Sequence, residues 1–337
     1  MTTSPDDPHM CHALELARGA RLVTSPNPWV GCVLVGAGGE VVATGSTRPP
    51  GGPHAEAVAL AAAGGRAAGA TAYVTLEPCS HHGRTPPCAE ALVRAGVRRV
   101  VYGTTDPDPQ VAGRGLAVLR DAGIEVAAAS PAVGALVEEQ LGPYLHHRRT
   151  GRPLVVLKLA ASLDGRTAAP DGSSRWITGA EARADVHRLR AESDAILVGA
   201  GTVRADDPAL TVRGVQDGRD PLRVVLGRAP AGARVHPCRE RTGELGPILD
   251  ELGAEGCLQL MVEGGAGVAG SFHRAGLVDR YVVYLAPALF GGDDARPLFG
   301  GAGAATISAL WRGTIVATAR LGADLRVDLV PDHAEVS

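Results

Sequence analysis

Twice along the chain, short apolar runs alternate with longer helix-forming stretches, and a single polar segment, His146-His147-Arg148-Arg149-Thr150-Gly151-Arg152-Pro153, interrupts that alternation. Strand–helix alternation of this kind demands a layered α/β sheet, because each apolar strand needs a helix to cover it. The Gly- and Pro-punctuated break marks a domain boundary. At 337 residues the chain also exceeds what one ordinary core organises. Two different α/β domains are therefore expected, 1–147 and 152–337, with no internal repeat linking them.

In the first half, Gly31 to Val35 and Glu40 to Thr44 read as a hairpin through Gly38-Gly39, and Ala72 to Leu76 and Arg99 to Tyr102 as further strands. Helices are expected over His54 to Ala63, Ala89 to Ala95, Leu116 to Ala122 and Val133 to His147. In the second half the strands are Leu154 to Ala160, Ala195 to Val198, Leu222 to Leu226, Leu258 to Val262 and Tyr281 to Leu285. The helices there are Ala180 to Ala191, Pro247 to Leu252 and Val268 to Ala275.

Composition narrows the function classes. With 45% hydrophobic residues the chain can fill a core, which excludes disorder. A net charge of −3 and 3% aromatics argue against nucleic acid as a partner, which calls for a basic face and stacking rings. No apolar run reaches the roughly 18 residues that span a bilayer, and the acidic start is unlike a secretory leader. No membrane association and a cytoplasmic location are expected. Six cysteines over this length make no disulfide framework and read as ligands or core fillers. Lys158 is the only lysine, set inside the apolar run Leu154-Val155-Val156-Leu157-Lys158-Leu159, where an unpaired charge is costly. Either its stem carries the charge to an edge or the amine has a functional role, the second being favoured.

Three pieces of the first half carry chemistry together: His54-Ala55-Glu56, Pro78-Cys79 and Pro87-Cys88. One imidazole nitrogen and two thiolates form a three-ligand zinc set with a fourth position left for water. The metal lowers the pKa of that water. Glu56 is then the group that takes the water's proton and hands it to a leaving amine. Residues two apart do not share a helix face, so His54 must stand at the helix entry with Glu56 reaching round beside it. Cys88 is expected at a helix start, where the dipole favours its thiolate. Singly, each residue would read as a solvated histidine or a core cysteine. Cys11, Cys32, Cys238 and Cys257 lack such company and read as core fillers.

The ordered signature resembles that of zinc deaminases acting on bases, with eight residues instead of two between the cysteines. That longer form, Thr75-Leu76-Glu77-Pro78-Cys79 through Cys88, is similar to the riboflavin-biosynthesis deaminases. So are Pro26-Asn27-Pro28 upstream and Asp106-Pro107 through Gly113-Arg114-Gly115 downstream. The resemblance implies a cytidine-deaminase-like three-layer domain and puts Asn27 at the base-binding edge; by itself Asn27 reads equally as a turn residue between prolines. His81 and His82 read as solvated residues in a loop near the metal.

The second half resembles the reductase domain of the same family, through Lys158 to Arg166, Ser174 to Thr178, Val198 to Arg213 and Val262 to Val268. That resemblance implies a dihydrofolate-reductase-like fold and NADPH. Gly264-Gly265-Ala266-Gly267, after a strand and opening a helix, leaves bare N–H groups for a pyrophosphate but is not a Rossmann fingerprint. Carried over, Ala160, Trp176, Thr202, Asp206 and Gly265, Ala266, Gly267, Val268, Ala269, Gly270 and Ser271 line the NADPH site. Ser174, Arg190, Leu210, Arg213 and Glu263 hold a ribose phosphate, for which two arginines suit a bidentate grip. For Arg190 the plain alternative is an exposed helix cation. Arg228 stands where the family has a small polar residue; it reads as a ligand of the NADPH 2′-phosphate or as a loop charge.

The family thus implied is the bifunctional riboflavin-biosynthesis deaminase/reductases, with Zn2+ and NADPH as cofactors, a pyrimidine ribose phosphate as substrate and a homo-oligomer as the expected assembly. Rival readings are a monofunctional pyrimidine deaminase with a non-catalytic second domain, a nucleic-acid base editor, and a structural zinc module in which Glu56 would have no purpose.

Overall fold

Helices cover both faces of the first unit's sheet because its inner strands are apolar on both sides, β1 (Gly31–Val35) being buried at every position. The computed structural model describes residues 4–80, 86–108 and 111–332. It divides into two compact units, Met1–Gly151 and Arg152–Ser337. In the first, α1 (Asp7–Thr24) precedes β1, β2 (Val41–Ser46), α2 (Ala55–Ala63), β3 (Thr71–Leu76), α3 (Cys88–Arg94), β4 (Arg99–Thr104), α4 (Arg114–Asp121), β5 (Glu125–Ala128) and α5 (Pro131–Thr150). The sheet order is β2-β1-β3-β4-β5. β1 runs antiparallel to β2 and β3, and β3, β4 and β5 are mutually parallel.

Helix α1 is absent from the sequence expectation. Its buried face, Met10, Ala13, Leu14, Ala17, Ala20 and Thr24, keeps helical spacing but half of it is alanine, so the apolar periodicity is faint. Its start is fixed by Asp6, which accepts both terminal nitrogens of Arg99 at 2.8 and 2.9 Å and the Tyr73 hydroxyl at 2.8 Å. At the other end of the unit, α5 runs past the expected helix end at His147 to Thr150, into the polar segment read as the domain boundary. Its last turn carries His147, Arg148 and Arg149, which suit the negative end of the helix dipole, and Gly151 closes it at φ 74°.

The second unit runs β6 (Leu154–Ser162), β7 (Arg166–Ala168), α6 (Ala180–Ala191), β8 (Ala195–Gly199), α7 (Ala200–Asp206), β9 (Leu222–Leu226), β10 (Arg239–Arg241), α8 (Leu245–Ala254) and β11 (Gln259–Val262). It ends with α9 (Ala266–Arg274), β12 (Arg280–Ala286), β13 (Arg296–Pro297), β14 (Gly313–Leu321) and β15 (Asp324–Pro331). The main sheet has the order β10-β9-β8-β11-β6-β12-β15-β14. Alternate side chains feed two cores: Leu157, Leu197 and Leu260 one, Val156, Ile196 and Met261 the other. From β10 to β12 the strands are parallel, while β15 and β14 add an antiparallel hairpin that the sequence reading did not include. β14 is exposed along nearly its whole length, so it lacks the apolar alternation that marks a half-buried strand.

Two glycines allow the close approaches on which the first unit's site depends. A Cβ on Gly45 in β2 would stand 2.2 Å from the Ala55 carbonyl oxygen, at the start of α2. One on Gly115 in α4 would stand 1.8 Å from the carbonyl oxygen of Pro78. Gly115→Ala should therefore push the Pro78-Cys79 segment away. We expect loss of about 1–3 kcal/mol of first-unit stability in a denaturant titration, with reduced bound zinc. Parental stability and metal content in that variant would contradict the close approach.

Candidate active sites

The polar cluster of the first unit gathers where β3 ends and two helices begin. His54 is the N-cap of α2, in extended conformation (φ −71°, ψ 164°), so its ring leaves the helix before regular phasing starts, as the His-x-Glu spacing requires. Cys79 follows β3, and Cys88 is the first residue of α3. The Nδ1 of His54 lies 3.5 Å from the Cys79 sulfur and 3.4 Å from the Cys88 sulfur. One ligand atom from each of the three lies within 4.8 Å of the others, and theirs is the one such metal-competent group among the described residues. A nitrogen and two sulfurs at this separation suit zinc.

The first N–H of α3 acts differently from expectation. It donates from Cys88 to the sulfur of Cys79 at 3.4 Å, so the helix start favours a thiolate on Cys79. Contact with the Cys88 thiol, then with His54, lowers Cys79 to about 4 against the opposing effect of burial. Cys88, donating to that sulfur and buried, is shifted upward. Glu56 is 4% exposed. Burial first, then the charge of Cys79, raises its carboxyl to about 7, a value suited to a group that must both take and return a proton.

Glu77 belongs to the quoted motif, but the sequence assigned it no task. Its buried carboxylate accepts the N–H groups of Asp106, Gly113 and Gly115 at 3.4, 3.0 and 3.1 Å. The two ends of the downstream motif, Asp106 and Gly113 to Gly115, are thereby tied to the segment that leads into Cys79. Asn27 sits in the turn between α1 and β1, its N–H donating to Thr24 at 2.8 Å. Cys32 and Cys257 are core residues, but Cys11, off the buried face of α1, and Cys238, packed against the outside of its core cluster, are only partly buried. His81 and His82, and Pro109 with Gln110, lie outside the described residues.

In the second unit a cleft of about 1630 Å³ opens at the carboxyl ends of the parallel strands, where open α/β sheets bind ligands. Lys158, Ala160, Ser174, Trp176, Arg190, Thr202, Asp206, Leu210, Arg213, Arg228 and Glu263 all line it, with Gly265, Ala266, Gly267, Val268 and Ser271 of the glycine turn and α9. Ala269 and Gly270 do not. The helical period turns Ala269 into the core, and Gly270 faces the backbone of Gly300, whose carbonyl oxygen would stand 2.1 Å from an added Cβ.

The centre of the cleft is a three-residue ion cluster. Glu263, just after β11, accepts Lys158 Nζ at 3.2 Å and Arg190 Nη2 at 2.8 Å. Burial would raise the glutamate, but Lys158 and then Arg190 outweigh it and hold the carboxyl at about 2. Lys158 therefore does not run to an edge, and Arg190, buried, is not an exposed helix cation. Thr202 Oγ1 accepts the N–H of Gly265 at 3.1 Å, which fixes the turn into α9. Trp176 remains 68% exposed, its ring flanked by the guanidinium of Arg183 at 4.7 Å. His187, which the sequence reading passed over, also lines the cleft. Its signal was the three-residue spacing from Arg190 on α6.

Comparison with known proteins agrees in both halves. Residues 3–104 match the cytidine and deoxycytidylate deaminase zinc-binding region, and residues 153–325 match the RibD C-terminal domain. The riboflavin biosynthesis protein RibD of Escherichia coli (strain K12) is 45% identical over 331 residues, covering 86% of this chain and 89% of that protein. RibD of Mycobacterium tuberculosis (strain CDC 1551 / Oshkosh) is 44% identical, covering 96% and 97%. Among solved structures, Acinetobacter baumannii RibD, form 1, has a TM-score of 0.89 at 39% identity, covering 97% of this chain and 98% of that one. A Thermotoga maritima diaminohydroxyphosphoribosylaminopyrimidine deaminase/5-amino-6-(5-phosphoribosylamino)uracil reductase has a TM-score of 0.86 at 33% identity, covering 96% and 98%. Nothing in these matches supports a monofunctional deaminase. No described helix is long and apolar enough to cross a membrane. With a deaminase region and a reductase region matched in order, and relatives alike over nearly the whole length, the chain belongs to the RibD family of riboflavin biosynthesis proteins, as a bifunctional enzyme that joins a zinc-dependent deaminase to an NADPH-dependent reductase.

Proposed function

We propose that residues 1–147 hydrolytically deaminate 2,5-diamino-6-ribosylamino-4(3H)-pyrimidinone 5′-phosphate, and that residues 152–337 then reduce its ribosyl group. The observation that carries the reading is the pairing of a His-Cys-Cys cluster beside buried Glu56 with a separate cleft built around Lys158, Arg190 and Glu263. His54, Cys79 and Cys88 hold zinc, which when bound makes water nucleophilic near neutral pH. Glu56 takes the proton of the attacking water and returns it to the departing nitrogen, so the ring carbon exchanges an amino group for oxygen and ammonia leaves. Asn27 meets the edge of the base.

In the second unit, Ala160, Trp176, Thr202, Asp206 and the start of α9 from Gly265 to Val268, with Ser271, face NADPH. Ala269 and Gly270 support that helix from the core side. Arg228 grips the 2′-phosphate. NADPH, when bound, would supply hydride for the sugar C1′ while the bond from C1′ to the ring oxygen opened and that oxygen took a proton to become a hydroxyl. Ser174, Leu210 and Arg213 hold the ribose phosphate, Arg213 through the terminal nitrogens of its guanidinium. Glu263 holds Lys158 and Arg190 in place in the cleft, with Lys158 beside the reacting sugar.

The free cysteines favour a cytoplasmic enzyme, and the charge balance favours a small-molecule substrate without nucleic acid. Exposed strand β14, with Ile315 58% and Val316 45% accessible at the sheet edge, favours a homo-oligomer.

Ammonia release and NADPH oxidation, followed separately on the two successive intermediates, test this assignment. We expect ammonia from the diamino compound without NADPH, and NADPH oxidation only with the deaminated one. Absence of NADPH oxidation there would remove the second activity. Cys88→Ser should lose zinc in a metal assay, since a hydroxyl is a poor ligand for it; full occupancy would strike Cys88 from the set.

Glu263→Gln leaves Lys158 and Arg190 without their counter-charge. It should lower second-unit stability by about 1–3 kcal/mol, less than for a fully buried pair because the cleft is open to water. A glutamate held low stabilises the fold fully above its ordinary value of 4.5, and that contribution disappears as pH falls through about 2. In denaturant titrations the parent and Glu263→Gln should therefore differ at neutral pH and converge in acid. A constant difference would contradict the ion cluster.

A further inference from the structure

Helix α6 holds the loop that follows α7 through two cleft-lining side chains on one face. Arg190 Nη1 donates to the Thr211 carbonyl at 2.6 Å, and Arg213 Nε donates to His187 Nε2 at 3.4 Å. Farther along, the Val212 N–H donates to Asp220 at 2.8 Å. Leu210 at the start of this loop has a φ of 54°, a left-handed conformation that a leucine keeps only when its surroundings enforce it. The loop is therefore held in a fixed shape. Arg213 itself is exposed, and His187 is the one side chain to which it is bonded among the described residues.

The chemistry of that contact is specific. An arginine nitrogen can only donate, so Nε2 of His187 must offer its lone pair, which puts the ring hydrogen on Nδ1. Nδ1 is buried and makes no hydrogen bond among the described residues. The groups acting on the ring are Arg190 on its own helix, Arg213 and the Thr211 carbonyl on the loop, and Glu263 after β11. Burial and the two arginines disfavour a charged ring, opposed by Glu263 and the carbonyl.

We propose that His187 is a positioning residue of the reductase step: its Nε2 lone pair fixes Arg213 through Nε and leaves both terminal nitrogens of the guanidinium free for the 5′-phosphate of the substrate. This rests on the reading of Arg213 as the phosphate ligand. A protonated His187 has no lone pair to give and repels Arg213, so substrate affinity falls as the ring becomes charged.

NADPH oxidation is measured against the deaminated ribosylamino uracil 5′-phosphate in the full-length zinc enzyme. His187→Ala should raise KM about tenfold, the size of one charge-assisted hydrogen bond, with kcat and NADPH affinity unchanged. His187→Gln, whose amide oxygen can accept from Arg213, should restore most of the loss. With falling pH the parental KM should rise more steeply than that of His187→Gln, whose profile carries only the titration of the substrate phosphate. Arg213→Ala should raise KM further, and adding His187→Ala to it should have no additional effect. If Arg213→Ala leaves KM unchanged, the phosphate reading itself is wrong. If Arg213→Ala raises KM while His187→Ala does not, or if the two effects add, His187 does not act through Arg213 and the proposal is overturned.

Discussion

Burying one carboxylate, Glu77, forces the segments of the deaminase site together. Away from water, its two oxygens need donors, and they find them in the N–H groups of Asp106, Gly113 and Gly115. The loop that brings those donors must pass directly over Pro78, which only glycine at position 115 permits. Cys79, the next residue, is thereby fixed where the N-terminal ends of α2 and α3 converge. His54 and Cys88 arrive from those two helix starts, and Glu56 follows on the first turn of α2. The metal-binding geometry is thus a consequence of backbone packing around β3, with the ligands adding chemistry to a corner already built.

The second unit solves a different problem with the same physics. Its central strands β8 and β11 are buried at every position, and Lys158, Arg190 and Glu263 neutralise one another in the cleft beside them. Two cations against one carboxylate leave net positive charge facing a cleft whose proposed ligands are phosphorylated. Arg213 stands apart from this cluster, exposed and steadied by His187, which suits it to meet a ligand that comes and goes.

Residues of special chemistry were legible in the sequence. His54, Cys79 and Cys88 sit in a spacing that few other demands would produce, and the strand and helix bounds around them follow from strong apolar periodicity. What escaped were features that depend on partners far along the chain. Helix α1 buries alanines, whose pattern is too weak to announce a helix without the sheet beneath it. Strand β14 is accessible on both faces and exists because β15 pairs with it. Ala269 and Gly270 lie in a run that reads as a unit, but a helix turns them inward while its neighbours face the cleft. The expected end of α5 at His147 fell short of Thr150, because basic side chains in a last helical turn read as polar loop on paper.

The central claim is that two chemically independent sites share this chain, and Glu56→Gln tests it most directly. The substitution keeps side-chain volume and leaves His54, Cys79 and Cys88 in place, so zinc content should stay at the parental level. Ammonia release from the diamino pyrimidinone should fall by about 10²–10⁴-fold, the usual worth of a positioned proton-transfer group. Given the already deaminated intermediate, the same protein should oxidise NADPH at the parental rate. Loss of both activities in a stably folded, zinc-replete variant would contradict the two-site account.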